Sequence, residues 1–374
     1  MFPGSFRTEF RLSISALAGF TLLALLFVWP LSANLTDQVT GDPAGDTGAY
    51  VWNAYVFSRN IASGSSLLHT DRVLSFAKEA SLALHNNSLF LSALAAPLVP
   101  AIGVIAAFNV ALVLILILNP FSAYLLARHE TGTFGPAWLG GALFGFSPFI
   151  SARIEGHMSL ATAFALPLVV LFARRGLTRD RPSPWAFLPL GVSLALCAAS
   201  DPYYLVFGVI VVALVWASEY AYLDPLPQAR FKPLARLALI VAAVSGVALL
   251  WIHTLGGGEV RLGSARIGVR SSNTPVLALT IAALLLAFAL RPRKPVLETG
   301  AVASLKFPLL AGAVAAVLLL PWLSLAASEV FSKGGTEAPL WRSSPRGVDL
   351  LSFFLPNPTH PWFREFIEPW MTQE

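Results

Sequence analysis

The chain has 374 residues, 56% of them hydrophobic and 12% charged, with a formal net charge of +5 and a mean hydropathy of +0.69. Soluble domains carry about a quarter charged residues, so the composition excludes an ordinary water-soluble fold and points to an all-α integral membrane protein whose first partner is the lipid bilayer. The single cysteine, Cys197, falls in an apolar run, which excludes a disulfide framework and a thiol-rich metal site and reads as a small buried hydrophobe.

The first apolar run, LSISALAGFTLLALLFVWPLS (12–32), is about 20 residues long and lacks a small-x-small cleavage site, so an uncleaved span is expected. A long outer loop, 33–88, follows it. Asp37, Asp42 and Asp46 crowd into its first part, and such a cluster needs either water or a cation. Next come Tyr50, Trp52, Tyr55 and Phe57 mixed with Asn53, Arg59 and Asn60, the composition of a helix lying at the lipid interface and holding the loop against the membrane. The piece SLFLSALAAPLVP (88–100) is too short to cross and carries two prolines, so it reads as re-entrant or interfacial. Further spans are expected near 104–126, 136–151, 158–173, 185–200, 203–222, 236–254, 275–290 and 307–326, about nine with the first. The reading divides the chain into a transmembrane domain, 1–326, and an outer segment, 327–374, leading toward a further C-terminal part.

With the N-terminus in the cytoplasm, the inside connections are short and basic, carrying Arg7 and Arg11, then Arg174 and Arg175, then Arg291, Arg293 and Lys294. The long connections are all outside and net acidic, as the positive-inside rule requires. The excess positive charge has a topological cause and calls for no nucleic-acid partner.

This topology gathers the unusual polar residues on the outer side. Arg153, Glu155 and His157 lie in FSPFISARIEGHMSL, Asp201 in AASDPYYL, and Arg261, Arg266 and Arg270 in the loop after His253; Asp349 and His360 follow further on. Ionisable groups at membrane depth are expensive and usually functional. Each also has a plain reading: Asp42 before Pro43 is a turn former, Asp46 and Asp201 are helix N-caps, Glu155 and His157 cap a span, and the three later arginines form a solvated loop. His69, His85 and His129 show no ligand spacing.

The segments GDTGAYVWNAYVFSRNI, LLHTDRVLSFAKEASLALHNNSLFLSALAAP, AAFNVALVLILILNPFSAYLLARHETG and GALFGFSPFISARIEGHMSLATAFALPL, continuing through ASDPYYLVFG to VDLLSFFLPNPTHPWF, resemble in order and spacing a bacterial branch of the GT-C superfamily of membrane glycosyltransferases. The resemblance implies a multi-span helical bundle in the bacterial inner membrane. It implies transfer of a hexose or pentose from a polyprenyl-phosphate carrier to a glycan, lipid or protein acceptor on the periplasmic or exterior face. Carried onto this sequence, the family's outer-loop acid is Asp46, with Asp42 the second choice, and the histidine after FSPF is His157.

A glycosyl phosphate leaves without help from a general acid, so the site must supply a base for the acceptor hydroxyl and positive charge for the departing phosphate. Asp46 is assigned as the base. The phosphate falls to Arg153 or to one of Arg261, Arg266 and Arg270, since guanidinium binds phosphate bidentately; the alternative is Mg²⁺ or Mn²⁺ shared by Asp42, Asp46 and Glu155. His157 donates to the same phosphate or orients Asp46, and Glu155 and Asp201 complete the expected substrate-binding set. The competing function is a transporter or flippase for a polar or lipid-linked solute, which predicts ionisable groups near mid-span and interrupted helices in paired positions. A non-catalytic assembly protein is the third reading.

Overall fold

The computed structural model describes residues 6–41, 45–71, 80–83, 88–179, 182–262, 265–269 and 272–332; Asp42, His85, Arg270, Asp349 and His360 lie outside them. Apolar runs without water have to satisfy their backbone internally, and helices do so within one segment. The chain accordingly opens with α1 (Phe6–Phe27), then α2 (Thr47–Ser63), a short hairpin of β1 (His69–Thr70) and β2 (Ala80–Ser81), and the short helices α3 (Leu89–Ala95) and α4 (Val99–Ile102). The long helix α5 (Val104–Thr131) leads to α6 (Phe134–Gly145), α7 (Pro148–Arg153), α8 (Met158–Ala161), α9 (Ala165–Leu177), α10 (Phe187–Ser200) and α11 (Pro202–Tyr220). The rest comprises β3 (Ala221–Pro225), α12 (Lys232–Leu255), β4 (Gly258–Leu262), β5 (Ala265–Val269), α13 (Asn273–Leu290), β6 (Arg293–Leu297), α14 (Ala301–Ser304) and α15 (Lys306–Ser332).

Among the described residues, five helices are long and apolar enough to cross a membrane: Arg7–Phe27, Val104–Thr131, Pro202–Tyr220, Gln228–Leu255 and Ala301–Phe331. Pro184–Ser200 and Thr274–Leu290 are shorter apolar helices. The runs at 136–151 and 158–173 are interrupted, for local reasons. After α6, Ser147 adopts extended backbone and caps a new helix by accepting from Ile150 N–H, with Pro148 at its first turn; a residue before proline disfavours the α region. After α8 the chain breaks at Thr162, and Asn119 supplies the missing partners. Its Nδ2 donates to Ala161 O at 2.8 Å and its Oδ1 accepts from Ala163 N–H at 3.1 Å.

The chain divides into two compact units, one from Met1–Ala221 and Leu297–Thr336, the other from Tyr222–Val296 and Glu337–Glu374. In the first, α5 is the axis. Pro120 sits inside it, and Gly141 and Gly145 bring α6 close enough that a Cβ on Gly145 would lie 2.6 Å from the Pro120 ring. Small residues four apart allow such approach in a membrane, where packing rather than hydrophobicity draws helices together. Around α5 the main core joins Ala24 of α1 and Val28 just after it, Tyr50 of α2, Leu91 of α3, Phe108 and Leu112 of α5, and Leu190 and Leu194 of α10.

The two ends of this unit differ in chemistry. At one, Arg128 of α5 is buried and holds Glu9 of α1 through Nη2–Oε1 at 2.7 Å and Nε–Oε2 at 3.2 Å. Arg174 binds Glu219 at 2.9 Å and Glu130 at 3.4 Å, and Arg179 pairs with Glu298. Toward the other end, Asn109, fully buried, donates from Nδ2 to Leu35 O at 2.8 Å and Gln38 O at 2.6 Å. From Asn109 to Arg128 the helix rises about 28 Å at 1.5 Å per residue, close to one hydrocarbon thickness.

The helix expected after Asp46 is present as α2. One face of it, carrying Tyr50, Asn53, Ala54, Val56 and Phe57, is buried in protein, while Ile61 is exposed. In the second unit, α12 and α13 flank the antiparallel β4–β5 hairpin, in which Arg261 and Arg266 are cross-strand partners.

Candidate functional site

The stretch that forms the site is short helix, turn, short helix. α7 ends at Arg153; the N–H groups of Gly156 and His157 return to Arg153 O at 3.3 and 2.8 Å, and His157 O then accepts from Leu160 and Ala161 N–H to open α8. The residues between, Glu155 and Gly156, are thereby held in a tight turn. Facing them is the start of α2. Asp46 occupies its N-cap position with helical backbone and no side-chain capping bond, while its carbonyl accepts from Ala49 and Tyr50 N–H.

Two contacts fix these segments together. Gly41, at φ +107°, lies against the turn so closely that a Cβ there would sit 2.6 Å from Glu155 O and press on Thr47 Oγ1. One helical turn beyond Asp46, the buried Tyr50 hydroxyl meets Ser159 Oγ at 3.0 Å. Between the two, Asp46 Oδ2 approaches His157 Nδ1 to 3.7 Å, with side chains 48% and 53% exposed.

Gly45, Asp46, Ala152, Arg153, Glu155, Gly156 and His157 line an open recess of about 430 Å³. Arg153 enters with its guanidinium carbon 5.3 Å from the Phe149 ring centre. Its Nε is buried and has no hydrogen-bond partner among the described residues, which leaves a cation with donor capacity beside the carboxylate and imidazole. A second recess, of about 290 Å³, adjoins through Glu155 and is walled by Phe27, Val28, Trp29, Leu31, Val39 and Ile154, with Gln38, Thr40 and Ser151.

Of the residues expected in the site, Asp46, Arg153, Glu155 and His157 come together. Asp201 is not among the residues lining the recess; 7% exposed, it accepts from Tyr203 N–H at 2.9 Å as the N-cap of α11. Next to it, the Tyr204 hydroxyl donates to Leu160 O and feels the charges of both Asp201 and Arg153. Arg261 and Arg266 belong to the second unit, and Asp42 and Arg270 fall outside the described residues.

Mg²⁺ and Mn²⁺ take about six oxygen ligands. Asp46 and Glu155 are the two carboxylates lining the recess, and no group of three or more His, Cys, Asp or Glu suited to a metal occurs among the described residues. Asp42, the third expected ligand, lies outside the described residues, and Arg153 supplies fixed positive charge at the recess.

Sequence reading passed over Gly41, Asn109, Asn119, Tyr50 and Ser159 as working parts. Asn109 and Asn119 carried a signal, since a buried amide in an apolar helix is costly unless it bonds; Gly41 carried none beyond its neighbours Asp42 and Pro43.

No curated protein and no solved structure matches the sequence. A family model described as Domain of unknown function (DUF6311) matches residues 16–280, which run from the middle of α1 into the first part of α13 and take in every residue of the recess; the chain belongs to this family.

Proposed function

We propose that the protein is a GT-C type membrane glycosyltransferase that moves a sugar from a polyprenyl-phosphate carrier to an acceptor hydroxyl. The reading has the N-terminus in the cytoplasm and about nine crossings, with α6–α7 and α8–α9 as interrupted ones. The recess then opens to the periplasm or exterior of a bacterial inner membrane. One observation carries the proposal: Asp46, His157 and Arg153 line one recess, although the sequence separates Asp46 from the other two by more than a hundred residues. A base, a hydrogen-bonding ring and a cation are the groups that a glycosyl phosphate and an incoming hydroxyl require.

In the reaction the acceptor oxygen bonds to the anomeric carbon and gives its proton to the Asp46 carboxylate. The bond from that carbon to the phosphate oxygen breaks, and the phosphate leaves on its lipid with both electrons. Arg153 meets the growing phosphate charge with its unused donors, and His157 keeps the carboxylate oriented.

The test is sugar release from a panel of labelled polyprenyl-phosphate sugars by purified protein in nanodiscs, with and without EDTA. Asp46→Asn should lower turnover by about 10²–10⁴-fold, the range for a positioned base, and His157→Ala by less. Near-normal transfer by Asp46→Asn would remove the base from this scheme, and loss of transfer in EDTA would replace Arg153 by a metal. The interrupted helices favour a second reading, transport of a polar or lipid-linked solute. Donor binding without turnover, together with solute flux into proteoliposomes, would select it.

A further inference from the structure

We propose that the second recess is a subsite for a neutral sugar, whose hydroxyls donate hydrogen bonds to Glu155. Its role in catalysis rests on the glycosyl-transfer reading above, under which it makes the acceptor a glycan. The recess, of about 290 Å³, is built from the segment that follows α1 and from α7 with the turn after it. Its apolar side is firm, since Val28, Leu31 and Ile154 are 5, 6 and 7% exposed. Its polar side is made by Gln38, Thr40, Ser151 and Glu155. The backbone beneath these groups is bonded. Asn109 Nδ2 donates to Gln38 O at 2.6 Å, and Ser151 and Ile154 N–H return to Ser147 O and Ile150 O at 3.0 and 3.1 Å. A largely preformed hollow with an apolar floor and a few placed polar groups is the usual form of a small-molecule site.

Charge selects the occupant. Among the described residues that line this recess, Glu155 is the one ionisable group, and it is exposed. A phosphate, whether of a lipid-linked donor or of a phospholipid headgroup, would meet a carboxylate there with no cation to balance it. The cation, Arg153, lines the neighbouring recess. A hydrocarbon chain would cover Gln38, Thr40, Ser151 and Glu155 without giving them partners. A pyranose suits both sides, because its C–H face is apolar and its edge is a ring of hydroxyls that donate to carboxylate and amide oxygens. Trp29, 67% exposed in the same wall, offers an aromatic surface to the C–H face.

Position supports the acceptor role. Glu155 lines both recesses, and a Cβ on the next residue, Gly156, would lie 3.9 Å from Asp46 N. A sugar seated beside Glu155 is therefore about one residue's breadth from the start of α2, where the base stands.

The experiment reads binding and turnover separately, in the full chain in nanodiscs. Methyl pyranosides of glucose, mannose, galactose and N-acetylglucosamine are titrated by saturation-transfer NMR, and those that bind then serve as acceptors in the transfer assay. Saturable binding of at least one is expected. Glu155→Gln, which keeps the shape and removes the charge, should weaken it about tenfold, the scale of one charge-assisted hydrogen bond. Ser151→Phe, which fills this recess from a residue that does not line the other, should abolish it. Phosphoethanolamine should not compete. In transfer, Glu155→Gln should raise the acceptor KM about tenfold with the donor KM unchanged. No saturable binding of any pyranoside, or binding that neither variant weakens, overturns the subsite, and displacement by phosphoethanolamine gives the recess to a lipid headgroup instead. If binding is lost in both variants while the wild-type protein turns over no donor, the sugar subsite stands and the glycosyl-transfer reading fails. If transfer proceeds and Glu155→Gln leaves the acceptor KM unchanged, that reading stands and the subsite falls.

Discussion

At Gly41 a single hydrogen decides the shape of the site. Its φ of +107° is a conformation that side chains rarely adopt, and the space where a Cβ would go is taken by Glu155 O and Thr47. Backbone strain and a steric clash then act on the same residue. Gly41→Ala should destabilise the protein by about 1–3 kcal/mol and lower turnover further than the stability loss explains, since the loop has to lift away from Glu155. Thermal unfolding and transfer measured on the same preparation test this. A variant that unfolds earlier yet turns over normally when folded would show that the loop adapts. Sequence could point to Asp46, because a carboxylate opening an aromatic helix is conspicuous. It could not point to Gly41, because a backbone angle leaves no mark on residue type, nor separate Asp46 from Asp201. Both read as N-caps; in the fold only Asp201 caps with its side chain.

Among helices, α5 and α6 approach closely. Gly145 lies against the Pro120 ring and Gly141 against Pro120 O, while a Cβ on the neighbouring Gly140 would meet Ala127 at an ordinary 3.5 Å. Gly145→Ala should therefore cost about 1–3 kcal/mol through overpacking, and Gly140→Ala should be near neutral. Denaturant titration of both variants in micelles makes the comparison, and equal losses would mean that α6 shifts as a body. The same region shows what hydropathy cannot resolve. The runs 136–151 and 158–173 are apolar throughout and read as continuous, but Ser147–Pro148 restarts one helix, and the break at Thr162 is made tolerable by Asn119. An interruption repaired by a side chain on another helix is a tertiary event, and local composition has no access to it. The first crossing, α2, the short pieces at 88–100 and the last long helix were legible, since each follows from its own residues.

Across the first unit, a belt of ion pairs and a polar recess stand at opposite ends of α5. The belt is the stronger element. Arg128 and Glu9 are side-chain exposed by only 6% and 14%, and removing one partner leaves the other buried and unpaired. Arg128→Ala should cost about 3–5 kcal/mol, read as a fall in denaturant midpoint, and Glu9→Gln combined with it should add little; full additivity would show that the two charges act independently. A long-range contact of a different kind joins α15 to the segment after α2: Trp322 donates from Nε1 to Ala83 O at 2.9 Å across 239 positions of sequence. Phe57 of α2 and Leu68 pack in the same small cluster with Trp322 and Leu325. A ribosome adding about 5–20 residues per second delivers Trp322 roughly 10–50 s after Ala83, so the end of α2 that carries Phe57 waits about that long for the Trp322 that packs beside it. The end that carries Asp46 needs nothing from α15, since the residues lining the recess are all made by the time His157 is added, and a nascent chain therefore completes the lining of its recess well before it completes the packing of the helix that opens it.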